Sequence, residues 1–597
     1  MHREIVDPNV GGATISPAEP VRVKERGTWS ITYTSGSAGI AKGGSVRITI
    51  PHGFSIPQVK AFFDPGFTTV ETDVPGLSLE LKVVTDIFCR IDKEMGHSGA
   101  WGRNVFIFVK QGEMNEGDQF TLKYGNQDYY GGEPFMNNGS LARELSGLAE
   151  FTVAVDPDGT RSAPITGYRR IDKQPLLKIM AGVPVERIAL INGIDDGSSS
   201  QDALLIHVDA FNNPARIERV ECPVSRNDVV QGSINVGNKR LLTNPLPTLE
   251  HQAQLPVWWG DIHGHTMHSD GLGTNDEYLA FARDSSALDF SAITDHDDIG
   301  PRLLDEEWEG LKKSVQKWYE PGRFVTFLGH EYRNGKCDMN FYYPGSEGLL
   351  LRGTDGNFSD PAVISKKLRD IGGLIIPHMH FGADWSGFDQ DIYRVMEVYS
   401  SHGSSEYKGC PREIPYLSKQ IQKTSESNQT CYVHDILNAG YRLGFTAGSD
   451  THSGRPGFSD WTRVCRTYFG GLTGVFAPEL TREAIWNALK ARRCFATTGN
   501  RSLVYFHVNG AIMGSEIQLK PGKTRKITLK CHGDGEIVHF TIFRSGEAWK
   551  HSDVGDAHLA VSLEDTMRSQ DDWYYARITL SDGGMAWASP VWVGIAR

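Results

Sequence analysis

The sequence contains little cysteine, and the way it is spread excludes two kinds of small cross-linked domain. Eight cysteines are scattered over 597 residues, and no two of them form a Cys-x-x-Cys pair. Eight are too few for a disulfide framework in a chain of this length, and they lie too far apart for a structural zinc site. We therefore expect reduced thiols and a cytoplasmic protein.

Long apolar runs and basic blocks are also lacking. No apolar run approaches the ~18–20 residues that are needed to cross a bilayer, and the first residues show no signal-peptide pattern. The net charge is −12, with no dense block of lysine and arginine, which argues against nucleic acid and against an anionic membrane as partners. A small-molecule substrate is the expected partner, and assembly into a homo-oligomer is left open.

Glycine is abundant, and the first part of the chain alternates between apolar and polar residues. Glycine accounts for 65 of the 597 residues, an excess over the usual ~7% that indicates many tight turns. Alternation such as that of Trp29, Ile31 and Tyr33 is typical of strands with one buried face. We therefore predict a β-sandwich over residues 1–160, and a second β-module or an extension of the first over 161–250.

The pattern changes after about 250 residues, where short apolar runs begin to alternate with helical stretches. The start of one helix is marked by Thr274 and Glu277, which have the spacing of a capping box. Repeated strand-then-helix units favour a mostly parallel sheet that closes, or nearly closes, into a TIM-like barrel over residues 251–500. Alternation with period 2 then returns and predicts a C-terminal β-domain over 501–597.

Several apolar runs in the barrel segment end in residues that bind metals. These ends read Asp261-Ile262-His263-Gly264-His265, Thr294-Asp295-His296, His330-Glu331, Pro377-His378-Met379-His380 and Ser449-Asp450-Thr451-His452. Because the C-terminal ends of barrel strands meet at one face, these side chains should converge. Imidazoles and carboxylates that converge bind divalent cations. The sequence therefore predicts a metal centre at this face, in which His263 and His265, two apart on a strand, share one ion.

The same motifs resemble the PHP (polymerase and histidinol phosphatase) superfamily. The similarity covers about residues 257–500, and members of the superfamily have a distorted seven-stranded β/α barrel with two or three divalent metals. The flanking segments are similar to those of one large PHP subgroup, which includes hydrolases of aryl N-methylcarbamates. Better-known members are phosphoesterases. The resemblance thus implies a multidomain metal-dependent hydrolase whose barrel lies between N-terminal and C-terminal β-sandwich domains.

Carried over by position, the resemblance implies three metal sites. The first would be held by His263, His265, Glu331 and Asp450, the second by His378 with Glu331 as a bridge, and the third by Asp270, His296 and His452. One departure concerns a histidine that the family usually places between the glutamate strand and Pro-His. Asp338 lies in this stretch of the present sequence. One alternative is that its carboxylate replaces the imidazole as a ligand. The other is that Asp338 caps a turn and the second ion is bound more weakly. The imidazole-rich ligand set favours Zn, Mn or Fe over Mg.

The mechanism of such metal ions indicates further candidate catalytic residues near the motifs. Glu331 would hold two ions around a bridging hydroxide that attacks the substrate. The leaving group needs a proton, and His380 and His402 are the candidates for supplying it. Arg333, just past the glutamate strand, is a candidate for binding a substrate oxygen. An ordinary structural role is the alternative for each of the last three residues.

Three functions are consistent with these residues. Cations are few near the motifs, namely Arg333, Lys336 and Arg455, whereas a phosphate monoester is usually bound by several. We therefore expect hydrolysis of a small ester or carbamate, with an aromatic substrate preferred. Phosphoester hydrolysis on the same metals is the alternative. A non-catalytic binding protein with a vestigial barrel site is an alternative of another class.

Overall fold

The chain is multidomain and mostly β in the computed structural model. The described residues are 5–51, 53–85, 103–128, 139–159, 168–248, 255–269, 271–297, 303–333, 338–353, 360–378, 385–415, 417, 432–458, 468–566 and 570–596. Within these ranges, no helix is both long enough and apolar enough to cross a membrane. The chain divides into two compact units. The first unit consists of Met1–Glu186, His207–Arg216 and Gly300–Arg302. The second unit consists of Arg187–Ile206, Ile217–Ile299 and Leu303–Arg597.

Two sheets dominate the first unit. One has the strand order Gly11–Ser16, Trp29–Ser35, Gln119–Tyr124, Thr68–Glu71, and the other has the order Arg169–Arg170, Thr152–Asp156, Ser45–Thr49, Arg103–Gln111, Ser78–Thr85. Shorter strands pair as Gly147–Glu150 with Leu176–Met180, Leu176–Met180 with Val21–Arg22, and Ser140–Leu141 with Arg26–Gly27. Trp29, Ile31 and Tyr33 are buried at alternate positions, as their spacing predicts, and they share one core with Val46 and Ile48 of the second sheet.

A six-stranded sheet comes next along the chain. Its strands are Glu186–Ile191, Ser200–Val208, Pro214–Arg226, Val229–Val236, Lys239–Leu242 and Leu246–Pro247. A small core that contains Ile191, Cys222 and Val230 lies on this sheet. Strands thus continue through the described residues from 168 to 248, and the first compact unit runs past residue 160 to Glu186. A second β-module or an extension of the first over 161–250 stays a prediction.

Among the described residues, α-helices occur only after residue 257. In chain order the elements are β1 (Val257–Asp261), α1 (Asn275–Ala280), β2 (Phe290–Ile293), α2 (Asp305–Trp318), β3 (Val325–Arg333), β4 (Asp338–Tyr343), α3 (Pro361–Asp370), β5 (Leu374–His378), β6 (Val395–Ser400), α4 (Val433–Asn438), β7 (Gly444–Ala447), β8 (Leu472–Phe476), α5 (Arg482–Lys490) and β9 (Cys494–Thr497). The amide of Glu277 donates to the Thr274 hydroxyl at 3.2 Å, and the amide of Thr274 donates to the Glu277 carboxylate at 2.8 Å. The predicted capping box is thus confirmed at the start of α1.

The strands of this region are not all parallel. β1, β2 and β3 pair in parallel, as do β5, β6 and β7. β4 is antiparallel to both β3 and β5, and β8 is antiparallel to β1. The described residues therefore do not show the TIM-like barrel expected from the sequence. Only four residues separate β3 from β4, whereas a parallel crossover needs a dozen or more. Inward-facing side chains of these strands, including Phe290, Phe327, Tyr342 and Ile376, share one apolar core.

The last strands continue the same hydrogen-bonded sheet. They are Leu503–Val508, Ala511–Ile512, Glu516–Leu519, Arg525–Arg544, Glu547–Asp565, Asp572–Leu580, Met585–Ala588 and Val591–Ile595. Met585–Ala588 pairs with β9, so hydrogen bonding continues across residue 500. The segment expected as a C-terminal β-domain, 501–597, consequently lies in the same compact unit as the strands before it.

A buried histidine of α4 packs against these last strands. The Nε2 atom of His434 lies 2.7 Å from the Tyr575 hydroxyl, and its ring stacks on Tyr407 with centroids 4.9 Å apart. Burial, assisted by the charge of Arg577, lowers the pKa of His434 to about 4. The imidazole is therefore neutral in the folded protein at neutral pH.

We expect His434 to make the fold sensitive to acid. The pKa of an unfolded histidine is about 6.5, so the unfolded chain takes up this proton first, and the stability that the neutral ring contributes is lost as the pH falls from about 6.5 towards 4. His434→Gln should therefore lose less thermal stability than the wild type between about pH 7.5 and pH 5 in scanning calorimetry. The exposed His551 provides a control, His551→Gln, that should follow the wild type. Equal pH dependence of the wild type and His434→Gln would contradict this account.

Candidate metal centre

Backbone pairing holds the first and last histidine motifs together. The Asp450 amide donates to the His263 carbonyl at 2.9 Å, and the His265 amide donates to the Thr451 carbonyl at 2.7 Å. Asp450 has φ of +51°, a left-handed conformation that aspartate tolerates better than most residues. The segments that follow β1 and β7 thus run side by side, and their functional side chains reach the same place.

Glycine at two positions leaves room for this arrangement. A Cβ atom on Gly264, between the two histidines of the first motif, would clash with the Tyr278 hydroxyl and lie 2.7 Å from Cγ2 of Thr451. A Cβ atom on Gly448 would lie 2.5 Å from that of His263. Because real side chains essentially never come so close, a larger residue at either position would displace a histidine motif.

His263, His265 and Glu331 form the first of three groups of buried potential ligands. The Oε2 atom of Glu331, on β3, lies 3.3 Å from His263 Nε2 and 3.1 Å from His265 Nε2. The Oδ1 atom of Asp450 lies 3.2 Å from His265 Nε2 and 3.7 Å from His263 Nε2. The structure thus brings together the four residues that the resemblance implies for the first ion.

His263, His378 and Asp450 form the second group. The Nε2 atom of His378 lies 3.5 Å from Asp450 Oδ2, and the Nε2 atom of His402 lies 2.9 Å from the same oxygen. Asp450 therefore turns Oδ1 towards the first group and Oδ2 towards the second. His402, expected from the sequence as a proton donor, stands beside the potential ligands of this second group.

His265, His296 and His452 form the third group. The ring of His265 lies 4.2 Å from that of His452 and 4.4 Å from that of His296, measured between centroids. The Nδ1 atom of His296 lies 3.5 Å from Glu331 Oε2, so Glu331 adjoins this group as well as the first. The predicted ligand Asp270 and the predicted proton donor His380 lie outside the described residues.

The neighbouring carboxylates raise the pKa of the buried imidazoles. Burial alone would lower the pKa of His265, but hydrogen bonds to Asp450 and Glu331 raise it to about 9. Burial likewise opposes the charged form of His378, and the charge of Glu397 raises its pKa to about 9. The site therefore attracts positive charge, which protons or metal ions can supply, and metal binding would release protons.

The residues present fit a divalent cation. Burial alone would raise the pKa of Glu331, but the charge of His296 and hydrogen bonds from His263 and His265 hold it well below its usual range. The other oxygen of Glu331, Oε1, is buried and forms no hydrogen bond with any described residue. The buried amide of Asn340, opposite Glu331 across the β3–β4 pair, likewise has no hydrogen-bond partner in the described ranges. An unpaired buried polar group costs about 1–3 kcal/mol, and a cation on Glu331 would offset that cost.

Sequence reasoning missed one residue of the cluster, Glu397. It lies on β6, is 4% exposed, and contacts His263 Nδ1 at 2.8 Å and His378 Nδ1 at 2.6 Å. The sequence signal for it is weak, because Glu397 sits inside an apolar strand rather than after one. Glu397 is the single charged residue of Val395–Ser400, and this is the sequence feature that could have identified it.

Asp338 and Arg333 bind each other. The Nη2 atom of Arg333 donates to Asp338 Oδ2 at 2.7 Å, and its Nε atom donates to Asp338 Oδ1. The two residues occupy opposite positions of β3 and β4. Asp338 belongs to none of the three groups of potential ligands. Asp338 is thus a buried ion-pair partner of Arg333, and its roles as a metal ligand or as a turn cap stay predictions.

Comparison with known proteins gives relatives without an assigned activity. The profile of a family of proteins of unknown function, DUF3604, matches residues 459–523. An uncharacterized protein of Chlamydia muridarum is 27% identical over an alignment of 368 residues, and the match covers 56% of this chain and 57% of that protein. An uncharacterized protein of Chlamydia trachomatis is 28% identical over an alignment of 369 residues, and this match also covers 56% of this chain and 57% of that protein. The chain thus spans little more than half the length of the curated relatives that it matches.

One solved structure is described as containing a PHP-like domain, but its similarity to this chain is low. It is a two-domain protein from Bacteroides vulgatus that contains a predicted PHP-like metal-dependent phosphoesterase. It is 13% identical to this chain, covers 56% of this chain and 95% of its own, and has a TM-score of 0.29.

The ion pair between Arg333 and Asp338 leads to a prediction for Asp338→Asn. The substitution keeps the shape of the side chain but removes its charge, so Arg333 loses a charge-assisted bond and thermal stability should fall by about 1–3 kcal/mol. Metal content should not change, because the carboxylate is occupied by Arg333. Elemental analysis beside thermal unfolding tests both parts, and loss of one ion from Asp338→Asn would return Asp338 to the ligand set.

Proposed function

We propose that this chain is a divalent-metal-dependent hydrolase. The observation that carries the proposal is the sharing of ligands: His263 and His265 each belong to two groups, and Glu331 and Asp450 each adjoin more than one group. A structural zinc site closes four ligands around one ion. Shared carboxylates instead suit two or more ions a few ångströms apart, as in hydrolytic metal centres.

The proposed centre holds two or three ions, with Zn, Mn or Fe favoured by the many imidazoles. The ligands of the first ion would be His263, His265, Glu331 and Asp450. Those of the second would be His378, His402 and Asp450, whose two oxygens face the first and second groups, with Glu331 as the bridge that the resemblance implies. Those of the third would be Asp270, His296 and His452, and Glu331 Oε2 lies 3.5 Å from His296. Assigning His402 as a ligand follows from its 2.9 Å distance to Asp450 Oδ2. His380 then keeps the proposed role of proton donor to the leaving group.

The protein's part in the reaction is to hold charge and exclude water. Bound divalent cations would bring the pKa of water close to neutrality and polarise a carbonyl or phosphoryl oxygen. Glu331 and Asp450 are 1% and 3% exposed, so their attraction for cations is little screened by solvent. Arg333 is held by Asp338 on the neighbouring strand, so binding a substrate oxygen would require it to exchange this partner.

The charges around the centre favour an uncharged substrate. Glu331, Asp450 and Glu397 are carboxylates within the ligand cluster, and the arginine at the end of β3 is paired with Asp338. A phosphate monoester is usually bound by several arginine or lysine side chains. We therefore propose a small ester or carbamate, with an aromatic substrate preferred, and keep phosphoester hydrolysis on the same ions as the second candidate.

We also propose that residues 251–500 form the distorted seven-stranded barrel of the PHP superfamily. The antiparallel strands β4 and β8 are compatible with such a distortion, because the ligand-bearing ends of β1, β2, β3 and β5 still lie at one edge of the sheet. Membership of the subgroup that includes carbamate hydrolases is part of the same proposal.

Purified protein should contain two or three divalent ions per chain and lose hydrolytic activity when a chelator removes them. The expected substrates are 1-naphthyl acetate and 1-naphthyl N-methylcarbamate, compared with p-nitrophenyl phosphate and bis-p-nitrophenyl phosphate. Elemental analysis gives the ion content, and absorbance of the released naphthol or nitrophenol gives the rate. Turnover of the phosphate esters alone would select the second candidate. Less than one ion per chain, with no turnover of any substrate, would leave a non-catalytic binding protein.

Two substitutions separate a bridging ligand from a ligand of one ion. Glu331→Ala should remove more than one ion and lower turnover by about three orders of magnitude or more, because Glu331 adjoins two groups and the ions supply most of the catalysis. Asp270→Ala should remove only the third ion and keep the first pair. Metal content and kcat are measured on both variants, with circular dichroism to check the fold. Full metal loading of Glu331→Ala with near-normal turnover would show that the two-ion assignment is wrong.

A further inference from the structure

Glu397 contacts two of the potential metal ligands through different oxygens. Its Oε2 atom lies 2.8 Å from His263 Nδ1, and its Oε1 atom lies 2.6 Å from His378 Nδ1. The side chains of all three residues are 4% exposed or less. One carboxylate therefore connects imidazoles that come from the ends of two different strands, β1 and β5.

The chemistry of a carboxylate fixes which nitrogen of each ring carries hydrogen. An ionised carboxylate only accepts hydrogen bonds, so His263 Nδ1, which is hydrogen-bonded to Glu397 Oε2, must be the donor. His378 Nδ1 is in ion-pair contact with Oε1, and it must also carry hydrogen, because two lone pairs would repel each other at that distance. The Nε2 atom of each ring is then the one available to a cation. The geometry agrees with this division, because His263 Nε2 lies 3.3 Å from Glu331 Oε2 and His378 Nε2 lies 3.5 Å from Asp450 Oδ2.

The surroundings hold Glu397 in this position. Its Cα atom is paired with that of His378 across β5 and β6, which sets the distance between the two side chains. On the other side, a Cβ atom on Gly448 would lie only 2.7 Å from Glu397 Oε2, so the glycine leaves the space that the carboxylate fills. The sheet register and the glycine together aim both oxygens of Glu397 at histidines.

We propose that Glu397 is a positioning residue that locks His263 and His378 in the ring orientation and tautomer that bind cations through Nε2. It thereby sets the affinity of the centre for its ions without contacting them. This inference rests on the proposed metal centre. It goes further because it proposes that one residue outside the ligand set controls the orientation and tautomer of two ligands.

Glu397→Gln is the decisive variant. Glutamine has nearly the same shape, but it presents one oxygen and one NH₂ group. The NH₂ group must face one of the two Nδ1 atoms, and that ring keeps a favourable contact only by moving its hydrogen to Nε2, where it blocks a cation. Loss of such an outer partner typically costs about 10- to 100-fold in metal affinity. We expect a loss of this size for at least one ion, and a changed visible absorption spectrum of the cobalt-substituted protein.

A second buried glutamate supplies the matched control. Glu406 is fully buried in the same compact unit and accepts a hydrogen bond from the Tyr575 hydroxyl at 2.6 Å and another from Arg577. Glu406→Gln loses a buried charge without touching a histidine of the cluster, so its metal affinity and cobalt spectrum should match the wild type. If both variants lose metal equally, the effect is a general one of a disturbed fold, and the proposal for Glu397 is overturned.

The readout is metal affinity, measured by calorimetric titration of zinc into chelator-treated protein, and it separates the possible failures. Wild-type affinity in Glu397→Gln overturns the positioning role and leaves the proposed function intact. A wild-type protein that binds less than one ion overturns the metal centre itself. Should Glu397→Gln not fold, Glu397→Asp replaces it: the shorter carboxylate can reach only one of the two rings, so unchanged affinity for every ion overturns the proposal and a selective loss supports it.

Discussion

The buried carboxylates of Glu331 and Asp450 need positive charge beside them, and the rest of the cluster is arranged around that need. Removing an unpaired carboxylate from water costs several kcal/mol even after the protein relaxes. Here each carboxylate is surrounded by imidazole nitrogens at 2.9–3.7 Å, and these nitrogens bind protons or metal ions. Because a proton and a divalent cation compete for the same atoms, the acidity of the imidazoles and the metal affinity of the centre are two aspects of one interaction.

Such a cluster is stable only if its members cannot move apart, and the fold supplies this rigidity through the backbone. The segments after β1 and β7 are joined by amide-to-carbonyl hydrogen bonds at 2.7 and 2.9 Å. Asp295, after β2, accepts hydrogen bonds from the Thr266 amide at 2.7 Å and the Ser269 hydroxyl at 2.6 Å, which fixes the segment that follows His265. Three strand ends are thus tied to one another beneath the ligands, and the side chains have little freedom left.

The sequence predicts what is local and misses what depends on register. His263, His265, His296, Glu331, His378, Asp450 and His452 all follow apolar runs, and their convergence needs only the rule that parallel strand ends meet at one edge. Glu397 could not be found in this way, because it lies within a strand and its function arises from partners on β1 and β5. The pairing of Asp338 with Arg333 depends on β4 being antiparallel to β3, and apolar periodicity does not indicate the direction of a strand. Because strand direction could not be read from the sequence, a mostly parallel barrel was expected.

Charge balance links the number of ions to the kind of substrate. Glu331, Asp450 and Glu397 bring three negative charges to the described cluster, and two divalent ions bring four positive charges. The remaining single charge suits a reaction in which one negative charge develops on an oxygen of a neutral ester or carbamate. A third ion, even with the carboxylate of Asp270, would raise the excess to two positive charges, which suits a dianionic phosphate monoester better. In the proposed hydrolase, the number of ions and the preference for carbamate or phosphate would therefore be linked through the charge of the centre.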